Sequence, residues 1–321
     1  KKYEVSCMDC SNYNASLNSY GLRGPEFSSD KSESTYRIFT LGGSTTFGTG
    51  VDDNQTWPAF LQQKFNESEL DVNVEVINAG ITSAYSKNEY QLIKDKIIHW
   101  EPNLIIMYDG WNDASCSHGS SCTNPEETIQ NWKSVCQLGN EREFDAIIVV
   151  QPIAGTGNRV LTYQELQSVM TTIPQTYQTL QYLSEQLHSL KPYCTNTADL
   201  QNIFDYVPNP IFYDGGHTGV LGNKIIAENI FGLIIPTILP DSDNQSFETD
   251  VEILTKYYNP NTLEQFTIYA VGAMLSGKNF NGLDLENAIF DKADLSYATF
   301  KDTNLQKVRF VLANLSGVDL S

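Results

Sequence analysis

The chain has 321 residues, 40% of them hydrophobic, enough for one full-sized core and a smaller second module. With 20 Lys and Arg against 39 Asp and Glu, its net charge of -19 excludes nucleic acid and an anionic membrane surface as partners. No apolar run approaches the roughly 20 residues needed to span a bilayer, and the chain opens on Lys1-Lys2 with no signal-peptide pattern, so any export signal or anchor is expected upstream.

Residues 1 to about 34 are polar and turn-rich without a clear period and read as an extended N-terminal arm. Tyr36 to Leu41 is a short apolar run that ends in Gly42-Gly43 and is followed by an amphipathic stretch around Trp57, Phe60, Leu61 and Phe65, which predicts strand, tight turn and helix. The alternation continues with strands over 72–77, 103–108 and 146–150, and with helices over 86–99, 125–138 and 162–190. A weak strand near 203–206 and a helix over 219–231 complete the series. Repeated strand-helix units predict an α/β, doubly wound parallel sheet over residues 35–240, with its site at the carboxyl ends of the strands.

After Pro240 come a polar linker and one or two helices over 241–275. Phe280, Leu285, Phe290, Leu295, Phe300, Leu305, Phe310, Leu315 and Leu320 then recur every five positions, a period that belongs to neither helix nor strand. From the third onward, a small or β-branched residue stands two places before each, as at Ala288 and Ala293. This pattern resembles the pentapeptide-repeat family, which implies a small right-handed quadrilateral β-helix over 276–321 with the Phe and Leu side chains inward. Stacked coils bury a core only against neighbours, so a homo-oligomer or a cell-envelope partner is expected at the coil.

Cys7, Cys10, Cys116, Cys122, Cys136 and Cys194 make an even count without the companion ligands of a structural zinc site, so disulfides are expected. The pairing most economical in loop length is Cys7 with Cys10, Cys116 with Cys122 and Cys136 with Cys194. Other connectivities, or some buried free thiols, stay open. Asn-X-Ser/Thr sequons begin at Asn14, Asn54, Asn66, Asn244 and Asn314. With the cysteines they point to an extracellular or cell-surface glycoprotein.

Four segments carry chemistry. Gly42-Gly43-Ser44 puts a hydroxyl on a strand-to-helix turn, where a nucleophile is exposed beside its own N–H. Asn78-Ala79-Gly80 ends the second strand, Asp109-Gly110-Trp111-Asn112-Asp113 ends the third, and Tyr213-Asp214-Gly215-Gly216-His217 precedes the last helix. Taken singly, each could be an ordinary cap or turn. In this order they resemble the four blocks of the SGNH, or GDSL, hydrolase superfamily, with Gly43 standing where the motif has Asp. The resemblance covers about residues 36–238 and implies a flavodoxin-like sheet. It also implies Ser44 as nucleophile, His217 as base, Asp214 as its orienting carboxylate, and an oxyanion hole made of Ser44 N–H, Gly80 N–H and the Asn112 amide, with no cofactor and no metal. His99, His118 and His188 have no partner pattern. Trp111 either lines an acyl or sugar pocket or packs.

These readings predict an extracellular ester hydrolase working through an acyl-serine, with an O-acetylated glycan or other small ester as the substrate that the resemblance suggests. Because the base must be neutral, activity is expected to rise with pH through about 6 to 7. A glycan O-acyltransferase shares the same triad. An envelope structural or binding protein on an esterase fold, assembling through the coil, is the alternative of another class.

Overall fold

The computed structural model describes residues 2–3, 13–68, 70, 72–115, 124–205, 207, 209–238, 275, 277–283, 285–291 and 293–320. In chain order the elements are β1 (Lys2–Tyr3), β2 (Ala15–Ser16), β3 (Thr35–Leu41), α1 (Ser44–Phe47), α2 (Trp57–Glu67), β4 (Asn73–Asn78), α3 (Ser86–Asp95) and β5 (Leu104–Asp109). They continue with α4 (Trp111–Ala114), α5 (Pro125–Arg142), β6 (Asp145–Val150), α6 (Tyr163–Thr171), α7 (Pro174–Leu190), β7 (Asn196–Asp199) and α8 (Val220–Ile238). Contacts divide the chain into two compact units, Lys1–Ala227 and Glu228–Ser321, so the division falls inside α8.

In the first unit, five strands form one parallel sheet in the order β4-β3-β5-β6-β7. Counting only its own strands, this is the flavodoxin-like 2-1-3-4-5 order, whose switch point lies between the first and third, here β3 and β5. All six residues of the central β5 are buried, as a parallel strand covered on both faces requires. Ser44 follows β3 and Asn112 follows β5, so the topology alone brings them to the two sides of the switch-point crevice.

The last strand of the sheet is not the apolar 203–206 segment but β7, whose sequence Asn-Thr-Ala-Asp carries almost no apolar signal because it is an edge paired only with β6. Ile203 and Phe204 are buried from a turn instead. The expected long helix over 162–190 is two helices, broken where Pro174 follows Ile173. Ile173 is held extended at φ -67°, ψ 131°, as the residue before a proline prefers. At the other edge, β4 is blunted by one side chain. Gln62 of α2 donates to Val74 O at 2.9 Å and accepts from Val76 N–H at 2.7 Å, filling the place of a neighbouring strand and removing an open edge.

The described part of the N-terminal arm is anchored by Arg23. Its side chain is 1% exposed, and its guanidinium donates to the carbonyls of Asn14, Phe47, Gly48 and Val51 at 2.6–3.1 Å and pairs with Asp53 at 2.8 Å. The arm thus fixes the chain that leaves α1. Of the expected disulfides, Cys136–Cys194 is formed and joins α5 to the approach of β7 across a separation of 58 residues. Cys7, Cys10, Cys116 and Cys122 lie outside the described residues, as does the expected linker with its helices over 241–274.

In the second unit the five-residue period becomes a coil of four sides. Asn279 pairs with Thr299, Ile289 with Arg309 and Asp294 with Asn314 in parallel bridges, a repeat of 20 residues. Inward rings stack one turn apart, Phe280 on Phe300 at 4.7 Å and Phe290 on Phe310 at 5.6 Å. Each corner needs a left-handed residue, and these recur at Gly277, Gly282, Asn287, Tyr297, Asp302, Lys307, Leu312 and Gly317, with φ between 55° and 74°. Burial weakens along the coil: Phe280 and Leu285 are 1% exposed, Leu315 and Leu320 40% and 62%.

Candidate active site

The turn after β3 needs both of its glycines. Gly42 has φ +146°, and a Cβ on it would run into the Tyr108 carbonyl and the Thr46 hydroxyl. A Cβ on Gly43 would run into the Asn112 side-chain amide. The missing side chain at Gly43 thus has a physical reason, because it lets Asn112 close on the turn that carries Ser44. Gly43→Ala is expected to displace that amide and lower kcat by about a hundredfold, the cost of one oxyanion donor, with KM nearly unchanged. Steady-state kinetics on a soluble ester check this.

Ser44 Oγ lies 2.7 Å from His217 Nε2, and His217 Nδ1 lies 2.7 Å from Asp214 Oδ2. The other oxygen of Asp214 accepts the N–H groups of Gly216 at 2.9 Å and His217 at 2.8 Å, so the three-residue spacing folds into a tight loop held by its carboxylate. Burial works against the charge on Asp214, but the hydrogen bond and charge of His217 together with those two N–H groups outweigh it and hold the carboxyl below its ordinary range. The imidazole sits between two rings: Tyr213 stacked at 5.7 Å and 8°, and Trp111 edge-on at 5.2 Å. Gly216 has no side chain because the Trp111 indole occupies its place.

Two further anchors hold this loop. The Tyr213 hydroxyl donates to the Thr49 carbonyl, tying the histidine loop to the chain just beyond α1. Burial, then the Asp214 charge, pushes the Tyr213 phenol upward, so it remains a donor. Glu165, 1% exposed, accepts from the N–H groups of Ile211 and Phe212 at 2.9 and 3.1 Å and from Arg159 at 2.7 and 3.1 Å. Neither anchor is visible in sequence, since both depend on residues more than 40 positions apart.

The three expected oxyanion donors are not equivalent. Ser44 N–H opens α1 and has no carbonyl a turn earlier to bond. Asn112 Nδ2 spends one hydrogen on Ala84 O at 2.7 Å, which leaves the second for a ligand. The Gly80 N–H instead donates to Asn78 Oδ1 at 3.0 Å, and the open face of Gly80 is pressed on the backbone of Thr46 and Phe47. Gly80 is thus a packing glycine beneath α1. Asn78, read from sequence only as the end of the second strand, takes that N–H with its side chain and also donates to Thr46 O at 2.9 Å.

Behind Asn112 lies a buried acidic group. Asp113 accepts from Ser86 N–H and Oγ at 3.0 and 2.6 Å and from Thr128 at 2.8 Å, and Asp109 accepts from the Trp132 indole at 3.1 Å. Glu89 is 2% exposed with neither carboxylate oxygen partnered among the described residues. Burial, then the charges of Asp109 and Asp113, pushes its carboxyl well above the usual 4.5. The folded form therefore keeps the proton while the unfolded chain loses it, and stability falls as pH rises above about 4.5. Glu89→Gln removes that penalty. It is expected to raise Tm at neutral pH and to match the parent near pH 4, as calorimetry at both values would read.

The remaining candidates stand apart from this centre. His99 and His188 are exposed, and His118 lies outside the described residues. Asn14, Asn54, Asn66 and Asn314 are all exposed, while Asn244 lies outside the described residues. Among the described residues no His, Cys, Asp or Glu group is arranged to hold a metal ion, and no helix is long and apolar enough to cross a membrane.

No curated protein matches the chain. Among solved structures it is similar to an acetyl xylan esterase at 16% identity and a TM-score of 0.49, with 62% of this chain and 100% of that one covered. A GDSL-like lipase from Bacteroides thetaiotaomicron is 18% identical, with 66% and 93% covered and a TM-score of 0.48. An acetylxylan esterase from Geobacillus stearothermophilus is 14% identical, with 60% and 90% covered and a TM-score of 0.45. These are likenesses of fold, and the chemistry rests on the side chains above. The pentapeptide-repeat model matches residues 271–306 and 293–321, in eight copies, so the C-terminal part of the chain carries that repeat.

Proposed function

We propose that the chain is a serine ester hydrolase that works through an acyl-Ser44 intermediate. The observation that carries this reading is the continuous relay from Ser44 to His217 to Asp214, each link 2.7 Å long. Ser44 Oγ attacks the acyl carbon while its proton passes to His217 Nε2. The ionised Asp214 stabilises the imidazolium and fixes its orientation. The charge that develops on the carbonyl oxygen falls to Ser44 N–H and the second Asn112 amide hydrogen, preorganised neutral donors worth about 3 kcal/mol each. His217 returns the proton to the departing alcohol, and water repeats the cycle on the acyl-serine.

For the finer reading, we infer an O-acetylated carbohydrate as substrate and an extracytoplasmic location. The half-buried Trp111 indole beside His217 suits a sugar ring as the alcohol part. The Cys136–Cys194 disulfide and the exposed sequon asparagines suit an oxidising compartment. Fluorophosphonate labelling of the intact protein and of Ser44→Ala tests the catalytic reading. Modification confined to Ser44 is the expected result. A folded, disulfide-intact protein that takes no label would overturn it.

A further inference from the structure

The geometry points to a second working surface beside this site: the outer face of α6 docks on a neutral lipid surface, and the ester substrate is one displayed there. The inference rests on the esterase reading of Ser44 and deepens it by naming how the substrate is presented.

Tyr163, Leu166 and Met170 follow the i, i+3, i+7 spacing of one face of α6 and are 77%, 47% and 79% exposed, with Val160 at 89% just before the helix and Ile173 at 49% in the extended residue just after it. A helix in a globular unit ordinarily turns such a stripe inward. Here the inner face is taken by Glu165, which is locked to Arg159 and to the chain before the histidine loop. The apolar stripe is therefore the outward one by construction.

The charge pattern selects the partner. From Val160 to Ser184, Glu165 is the only charged residue, and it is buried, in a chain of net charge -19. A surface cleared of charge in so acidic a molecule suits an uncharged or zwitterionic apolar surface, and contiguous exposed apolar side chains mark interaction sites. Its position ties it to catalysis. The C-terminal end of α6 abuts the histidine loop, where Thr172 and the Trp111 indole lie 3.4 and 3.5 Å from the position of a Cβ on Gly215. A lipid surface held against α6 thus has its edge at the mouth of the site, where the sugar or glycerol part of an anchored ester would stand.

The test uses the full chain and the double variant Tyr163→Ser/Met170→Ser, which alters two side chains on the open face. Sedimentation with phosphatidylcholine vesicles is expected for the parent and for Ser44→Ala, and is expected to fall by about tenfold or more in the double variant. Turnover of p-nitrophenyl octanoate carried in those vesicles should fall in parallel, while turnover of soluble p-nitrophenyl acetate stays unchanged. Absence of soluble turnover would overturn the esterase reading alone. Intact soluble turnover without vesicle binding, or binding that the double variant retains, would overturn the docking surface. A lipid-free dimer of the parent that the double variant abolishes would also overturn it, in favour of a second copy of the chain as the occupant.

Discussion

Ser44→Ala is expected to lower kcat on a soluble ester by about 10⁴- to 10⁶-fold while leaving KM and the unfolding temperature near those of the parent. The magnitude follows from what the hydroxyl does. Without it there is no acyl-enzyme, and what remains is water attack assisted by the oxyanion donors and by substrate binding. His217→Ala should lose nearly as much, because among the described residues His217 is the base within hydrogen-bond distance of the Ser44 hydroxyl. The double variant should lose hardly more than either single one, since the two act as a unit. Asp214→Asn is the more discriminating change. It keeps the shape of the loop but offers an amide where His217 Nδ1 needs an acceptor, so a loss of about 10⁴-fold with an intact fold is expected. Equal and additive small losses at all three positions would mean that the relay is a structural hydrogen-bond chain and not a catalytic one.

Much of this was legible in the sequence because the signals are local. Continuous apolar runs such as Leu104 to Met107 and Ile147 to Val150, short and bounded by turn residues, fit a parallel strand buried on both faces. The paired glycines before Ser44 and the Asp214-to-His217 spacing likewise specify their turns within a few residues. The five-residue recurrence from Phe280 onward is its own structural repeat. What stayed hidden depends on partners distant in the chain. β7 has a polar sequence because its strand character comes from β6. Gly80 looks like a donor in sequence, yet Asn78 two residues earlier takes its N–H. The break between α6 and α7 could have been read from Pro174. The outward stripe on α6 could not, because the helical period shows that a face is apolar and not which way it points.

The anchor most remote from the chemistry carries the second large effect. Glu165→Gln is expected to lower the unfolding temperature by about 10 °C, equivalent to roughly 4 kcal/mol for a unit of this size, and to reduce kcat more than it raises KM. Burial alone would push the Glu165 carboxyl up. Its hydrogen bond from Arg159 and the N–H groups of Ile211, Thr162 and Phe212 outweigh this and bring it down to about 2. A carboxyl depressed in the fold stabilises it fully above the ordinary 4.5 and loses that contribution as pH falls through about 2. The gap between parent and Glu165→Gln should therefore narrow over that acidic window. The amide would point hydrogens at groups that are themselves donors and leave the Arg159 charge, 3% exposed, without a counterion. Replacing both partners with Met should not restore stability, as it can for an isolated buried pair, because the Ile211 and Phe212 N–H groups would still lack their acceptor. Those two residues lead directly into Tyr213 and Asp214, so slack there moves His217 away from Ser44. A fluorophosphonate labelling rate that falls in Glu165→Gln well below its unfolding temperature would show the effect on the site itself, whereas an unchanged rate with a lowered unfolding temperature would confine Glu165 to stability.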